Sequence, residues 1–227
     1  MSDATLENSD LKDGMGGLVN DWAADKQAYH VPWGKAMMWI FLVSDTFIFS
    51  CFLVGYLNVR LTTTEPWPLQ SEIFALSFGG GAPIPLILIA IMTFILITSS
   101  GTMALAVNMG YRKEKLKAFW LICITAAFGA SFVGMQMFEW SKLILDEGVR
   151  PWGNPFGAPQ FGSIFFMVTG FHGLHVTGGV IYLIWVALRV KRGYYDSKGF
   201  EIIEIAGLYW HFVDLVWVFI FAFFYLL

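Results

Sequence analysis

The chain has 227 residues, of which 57% are hydrophobic and 18% aromatic while only 14% are charged, with a formal net charge of −3. A soluble domain must hydrate its surface and carries roughly a quarter charged residues, so this composition excludes a soluble globular fold and indicates a membrane protein. Cys51 and Cys123 both fall in apolar runs, which makes them small packed hydrophobes instead of a disulfide framework.

The first thirty-odd residues, "MSDATLENSDLKDGMGGLVNDWAADKQAYH", are polar and net acidic. They lack the basic-then-apolar order of a secretory signal and the Arg-rich, acid-poor character of a transit peptide, so a bacterial chain inserted by its own helices is expected. Residues 1–33 are read as a polar, acidic cytoplasmic tail and 34–227 as one membrane domain. Crossing a bilayer takes about 20 apolar helical residues, and windows of that length occur near 34–59, 83–109, 117–144, 161–189 and 203–227. Turn and charge signals bound them: "TTTEPWPLQ", "GYRKEKLK", "GVRPWGNPFGAPQ" and "RVKRGYYDSKGFE". The fold class is therefore all-α, five transmembrane helices in one bundle, with no internal repeat.

Lys and Arg are retained on the cytoplasmic side. Eleven of the fourteen basic residues lie in the N-terminal stretch and in the second and fourth loops, and three, Arg60, Lys142 and Arg150, lie on the other side. The N-terminus is predicted cytoplasmic and the C-terminus periplasmic. "RKEKLK" is too short to imply nucleic acid and fits an orientation signal. "GGGAP" at 79–83 has no Lys-Ser or Lys-Thr after it and reads as a loop, not a phosphate cradle. Trp33, Trp67 and Trp152, near span ends, suit the headgroup level.

Ionisable side chains in hydrocarbon are costly and each needs a reason. Asp45 on the first span, His172 and His175 on the fourth, and His211 and Asp214 on the fifth all come out about 15–20 Å deep at 1.5 Å per residue. Glu204 is nearer the cytoplasmic end and Glu139 nearer the outer end. Residues i and i+3 share a helix face, so the His172/His175 face and the His211/Asp214 face are expected to pair. Gly170, Gly173, Thr177, Gly178 and Gly179 then form a small-residue seam that admits a neighbouring helix. Three readings stay open on spacing alone: haem ligation by histidines of two helices, a proton relay through Asp45, Glu139 or Glu204, and a hydrogen-bonded interhelical seam. A paired Glu-x-x-His metal site has no support, because that motif does not occur. A transporter is disfavoured by the lack of inverted repeats or paired interrupted spans.

"GFHGLHVTGG" followed by "LYWHFVDLVWVF" resembles subunit III of the haem-copper terminal oxidases, the cytochrome c and quinol oxidases. "FLVSDTFIFSCFLVGYL", "SSGTMALA" and "MQMFEWSKL" match in the family's order, from about residue 36 to the end. The resemblance implies a non-catalytic subunit of the cytochrome c oxidase type. It would bind no haem, copper or other metal and sit against subunit I, in a complex with subunit II that reduces oxygen to water and pumps protons. Haem and copper would lie in the partner subunits, and phospholipid is the ligand the family suggests for this one. It also implies a bacterial cytoplasmic (inner) membrane location and no nucleic-acid partner.

Residue by residue, Asp45 stands where many members carry a glutamate that supports proton uptake into subunit I. Glu139, His172, His175, Glu204, His211 and Asp214 match recurrent polar positions taken as a structural network, and Arg189 matches a basic residue near lipid headgroups. Mitochondrial-type members have seven spans and a lipid cleft; five spans resemble the short bacterial forms. The alternatives are an accessory subunit of a nitric-oxide reductase and a bis-histidine haem b electron-transfer protein.

Overall fold

A computed structural model describes residues 32–68, 73–76, 84–195, 199 and 201–226. The expected acidic tail lies outside these residues apart from Pro32 and Trp33, as does the loop at 79–83. Internal contacts divide the chain at Ile40 into a first unit, 1–40, and a second, 41–227. Of the first unit the structure describes the opening turns of the first helix; the packing below is that of the second.

Five helices are long and apolar enough to cross a membrane: α1 Trp33–Thr62, α2 Ile87–Tyr111, α3 Lys115–Leu145, α4 Gln160–Lys191 and α5 Glu201–Phe221, the last extended by a π turn, Ala222–Leu226. The fold is all-helical, as expected, and each helix overlaps its predicted window. In hydrocarbon the backbone must satisfy its own hydrogen bonds, so an apolar run of this length settles into helix. The largest shift is at α2, which starts at Ile87 and not at 83. Ahead of it Ile84–Pro85 pairs antiparallel with Ala75–Leu76, and Leu86 takes a left-handed φ of 62° that turns the chain into the helix.

Helix ends follow from local chemistry. α1 stops before the Pro66-Trp67-Pro68 stretch, because proline cannot continue the hydrogen-bond ladder. α3 begins beside an ion pair of Lys117 with Glu114 at 2.5 Å. It ends where Gly148 reaches a φ of 71° and the Val149 N–H turns back to the Leu143 carbonyl at 2.9 Å, a closure that uses orphan carbonyls of the last turn.

Within the second unit α2 packs on α3, α3 on α4, α4 on α5 and α5 back on α2, closing a four-helix ring. α1 meets that ring through side chains: Phe49 lies 5.3 Å from Phe171 and Tyr56 lies 4.2 Å from Phe224 between ring centroids. Lipid tails are as apolar as leucine, so helices in a membrane are held by close packing and hydrogen bonds more than by exclusion from water. Trp210 illustrates this. Its ring fills the space over Gly129, where an added Cβ would come within 2.3 Å of Cη2, and its indole N–H donates to Ser99 Oγ on α2 at 2.9 Å. One side chain of α5 thereby joins α2 and α3. Trp217 repeats the device a few turns on, donating to Thr93 Oγ1 at 3.0 Å.

Candidate functional site

Asp45 is buried on α1 and faces α4, where His175 Nε2 lies 3.4 Å from its Oδ2. His175 Nδ1 is 2.8 Å from the Phe171 carbonyl; a carbonyl only accepts, so Nδ1 carries a proton. Nε2 therefore faces the Asp45 carboxyl across helices α1 and α4, placed to pair with it when the ring is charged. The contact is within ion-pair reach, yet Asp45 Oδ2 makes no hydrogen bond. Phe49 closes one side, 5.6 Å from His175. Tyr209 of α5 donates to the His175 carbonyl at 2.9 Å.

His172 points elsewhere. Its Nε2 donates to the Val213 carbonyl of α5 at 3.1 Å, and its ring sits 5.7 Å from Phe132 and 5.2 Å from Trp217. Nδ1 has no partner. The expected pairing of the His172/His175 face with the His211/Asp214 face is thus corrected. Three residues along a helix rotate a side chain by about 60°, enough on a helix packed on several sides to send His175 to α1 and His172 to α5.

His211 and Asp214 turn to α2. Ser100 Oγ donates to Asp214 Oδ2 at 2.5 Å and lies 3.2 Å from His211 Nδ1. Glu204 accepts the hydroxyl of Tyr111, near the end of α2. Glu139, buried on α3, accepts from Tyr225 of the π turn at 3.2 Å. Arg189 stacks on Trp185 at 3.9 Å and on Tyr194 at 4.6 Å. Among the described residues these hydrogen bonds form separate local clusters, each tying one element to another.

The seam is likewise shared out. Cβ atoms added at Gly170 and Gly173 would meet Trp140 at 3.0 Å and Gln136 Oε1 at 2.9 Å, both on α3; one at Gly179 would meet Tyr209 and Trp210 on α5, both at 3.0 Å; Gly178 has nothing within 4 Å. Gln136, which donates to the Thr169 carbonyl at 2.8 Å, went unnoticed in the sequence, as did Gly129, Ser99, Ser100, Trp210 and Tyr225. Gln136, Ser99, Ser100 and Trp210 lie inside motifs that carried the resemblance, so a signal was there. A lone glycine in an apolar helix offered none.

Such an arrangement ties helices together and sets a buried carboxyl, Asp45, beside the imidazole of His175. Both histidine Nε2 atoms on α4 are directed at protein groups, and aromatic rings wall His172. Among the described residues no cluster of three or more His, Cys, Asp or Glu side chains is placed to hold a metal ion.

Residues 26–227 match the family described as "Cytochrome c oxidase subunit III". The chain belongs to this family. Among its relatives, a "Probable quinol oxidase subunit 3" of Staphylococcus aureus (strain USA300) is 33% identical over 199 residues, covering 87% of this chain and 90% of the relative. A protein of the same description from Staphylococcus epidermidis shows the same identity and coverage. As a subunit III, the chain is a multi-pass membrane component of a multi-subunit haem-copper respiratory oxidase. The two stretches that carried the resemblance hold the residues just described: "GFHGLHVTGG" supplies His172, His175 and the glycines, and "LYWHFVDLVWVF" supplies Trp210, His211, Asp214 and Trp217.

Proposed function

We propose that this subunit III is the non-catalytic member of a bacterial terminal oxidase in the cytoplasmic membrane, where it braces subunit I and supports proton uptake into it. The complex reduces oxygen to water and pumps protons, with haem and copper in its other subunits and subunit II among the partners. The relatives' descriptions favour quinol over cytochrome c as electron donor. The observation that carries the reading is Asp45: a carboxyl buried on the helix least enclosed by its neighbours, held beside His175 at 3.4 Å. Burying an ionisable group inside a membrane is costly and marks a functional position.

The test is Asp45→Ala in the whole oxidase. Assembly and haem content are expected to stay intact while activity is lost over fewer turnovers. Inactivation at the unaltered rate would remove the role. Arg189, stacked on Trp185 and Tyr194, is proposed to meet a lipid phosphate. Arg189→Ala should lower the phospholipid retained by the purified complex, and unchanged phosphorus content would count against that assignment.

A further inference from the structure

Several outward hydroxyls among the described residues ask nothing of their surroundings. Half-buried Thr98 and exposed Ser131, Ser141 and Thr177 each donate to a carbonyl of their own helix three or four residues back, which satisfies them in lipid. The outward side of α2 and α5 is different. There Ser100 gives its one proton across to Asp214 Oδ2 at 2.5 Å. With that proton committed, Ser100 Oγ can only accept from His211 Nδ1, 3.2 Å away. His211 then carries a proton on Nδ1, and as a neutral ring presents the Nε2 lone pair. The imidazole is half-buried, and among the described residues no hydrogen bond reaches Nε2. Asp214, buried beside it, also has an oxygen, Oδ1, without a partner.

Asp214 Oδ1 is enclosed within the chain, but an acyl chain has no donor to offer, so a lipid-covered face would leave His211 Nε2 unsatisfied where no water can replace the missing bond. The surrounding surface suits a helix. Gly101 and Ala104 are exposed next to Ser100, with open space over Gly101, and small residues at this spacing let another helix come close. Ile97 on α2 and Leu215 on α5, 52% and 55% exposed, flank the polar centre. Two to three turns further, Tyr111 and Glu204 close the same seam with a second hydrogen bond.

We infer that the outward face of α2 and α5, centred on Ser100, His211 and Asp214, is where a transmembrane helix of another oxidase subunit docks, bringing a hydrogen-bond donor to His211 Nε2. The partner is an apolar helix with one hydroxyl, amide, indole or cationic side chain about half-way along its span. This rests on the proposed membership of an assembled oxidase and names the surface that membership would use.

A photo-crosslinking residue at Ala104, in the purified complex, tests it directly. The expected product is an adduct with a different subunit of the oxidase. Adducts with lipid alone, or with a second copy of this chain, overturn the inference. In parallel, Ala104→Trp adds bulk outside the ring without touching its interior, and His211→Leu removes the acceptor. Each should leave about two- to tenfold less of the chain in the complex after a detergent wash, the effect of losing one hydrogen bond or its close approach. Ala104→Trp should do so with unchanged melting of the isolated chain; full retention of that variant counts against the face. A chain that never co-purifies with an oxidase overturns the functional reading together with this one, whereas co-purification with lipid-only adducts overturns this one alone.

Discussion

Tyr225 reaches Glu139 from the π turn at the end of α5, and its hydroxyl donates to a carboxyl buried on α3. Tyr225→Phe keeps the ring, which packs 4.5 Å from Phe74, and removes the bond. A buried polar group left without its partner costs about 1–3 kcal/mol, so a lower melting temperature of the purified subunit is expected; an unchanged one would show that Glu139 finds another donor. Gly129 is the sharper case. An added Cβ would meet Trp210 Cη2 at 2.3 Å and Val180 Cγ2 at 2.7 Å. The indole cannot swing clear, because it is held by Ser99, so Gly129→Ala should destabilise by about 1–3 kcal/mol. Thermal unfolding in detergent measures it, and a smaller residue at Trp210 in the double variant should restore part of the loss. Neither effect was legible in the sequence, since a glycine's need for space depends on what another helix places opposite it.

α4 carries its glycines on several faces, and the consequences divide accordingly. Gly178 looks onto open space while Gly179, its neighbour, sits 3.0 Å from two aromatic rings of α5. Gly178→Ala is expected to be neutral or to stabilise the helix by up to about 1 kcal/mol through propensity, and Gly179→Ala to destabilise. Equal melting temperatures for the two variants would contradict the packing described. Reading "GFHGLHVTGG" as a seam was sound at the level of the element: small residues there do admit other helices. It could not say that Gly170 and Gly173 face α3 while Gly179 faces α5. The same limit separated His172 from His175, because spacing along one helix specifies an angle between side chains and leaves open which neighbour stands at that angle.

For the molecule in its membrane, five spans put the two ends of the chain on opposite sides, and the distribution of Lys and Arg predicts which is which. Single cysteines at Lys113, between α2 and α3, and at Arg150, between α3 and α4, test the orientation. An impermeant thiol reagent applied to intact cells should label the variant at Arg150 and spare the one at Lys113; the reverse pattern would invert the assignment. The proposals for Asp45 and for the α2–α5 face concern the same assembled oxidase, but different surfaces and readouts, inactivation in one and crosslinking in the other, so either can fail alone.

Length, apolar content and loop charge by themselves determined that this chain is a five-helix membrane protein, because a backbone in hydrocarbon has almost no alternative to helix. The paired motifs, "GFHGLHVTGG" and "LYWHFVDLVWVF", were enough to point to the oxidase subunit III family. Only the tertiary structure decided the partners: Asp45 with His175, His172 with the Val213 carbonyl, His211 and Asp214 with Ser100, Glu139 with Tyr225. Hydropathy is a sum over one helix, whereas a hydrogen bond depends on how two helices are rotated against each other, and that rotation is set by contacts such as Trp210 over Gly129 that bring together residues far apart in the chain.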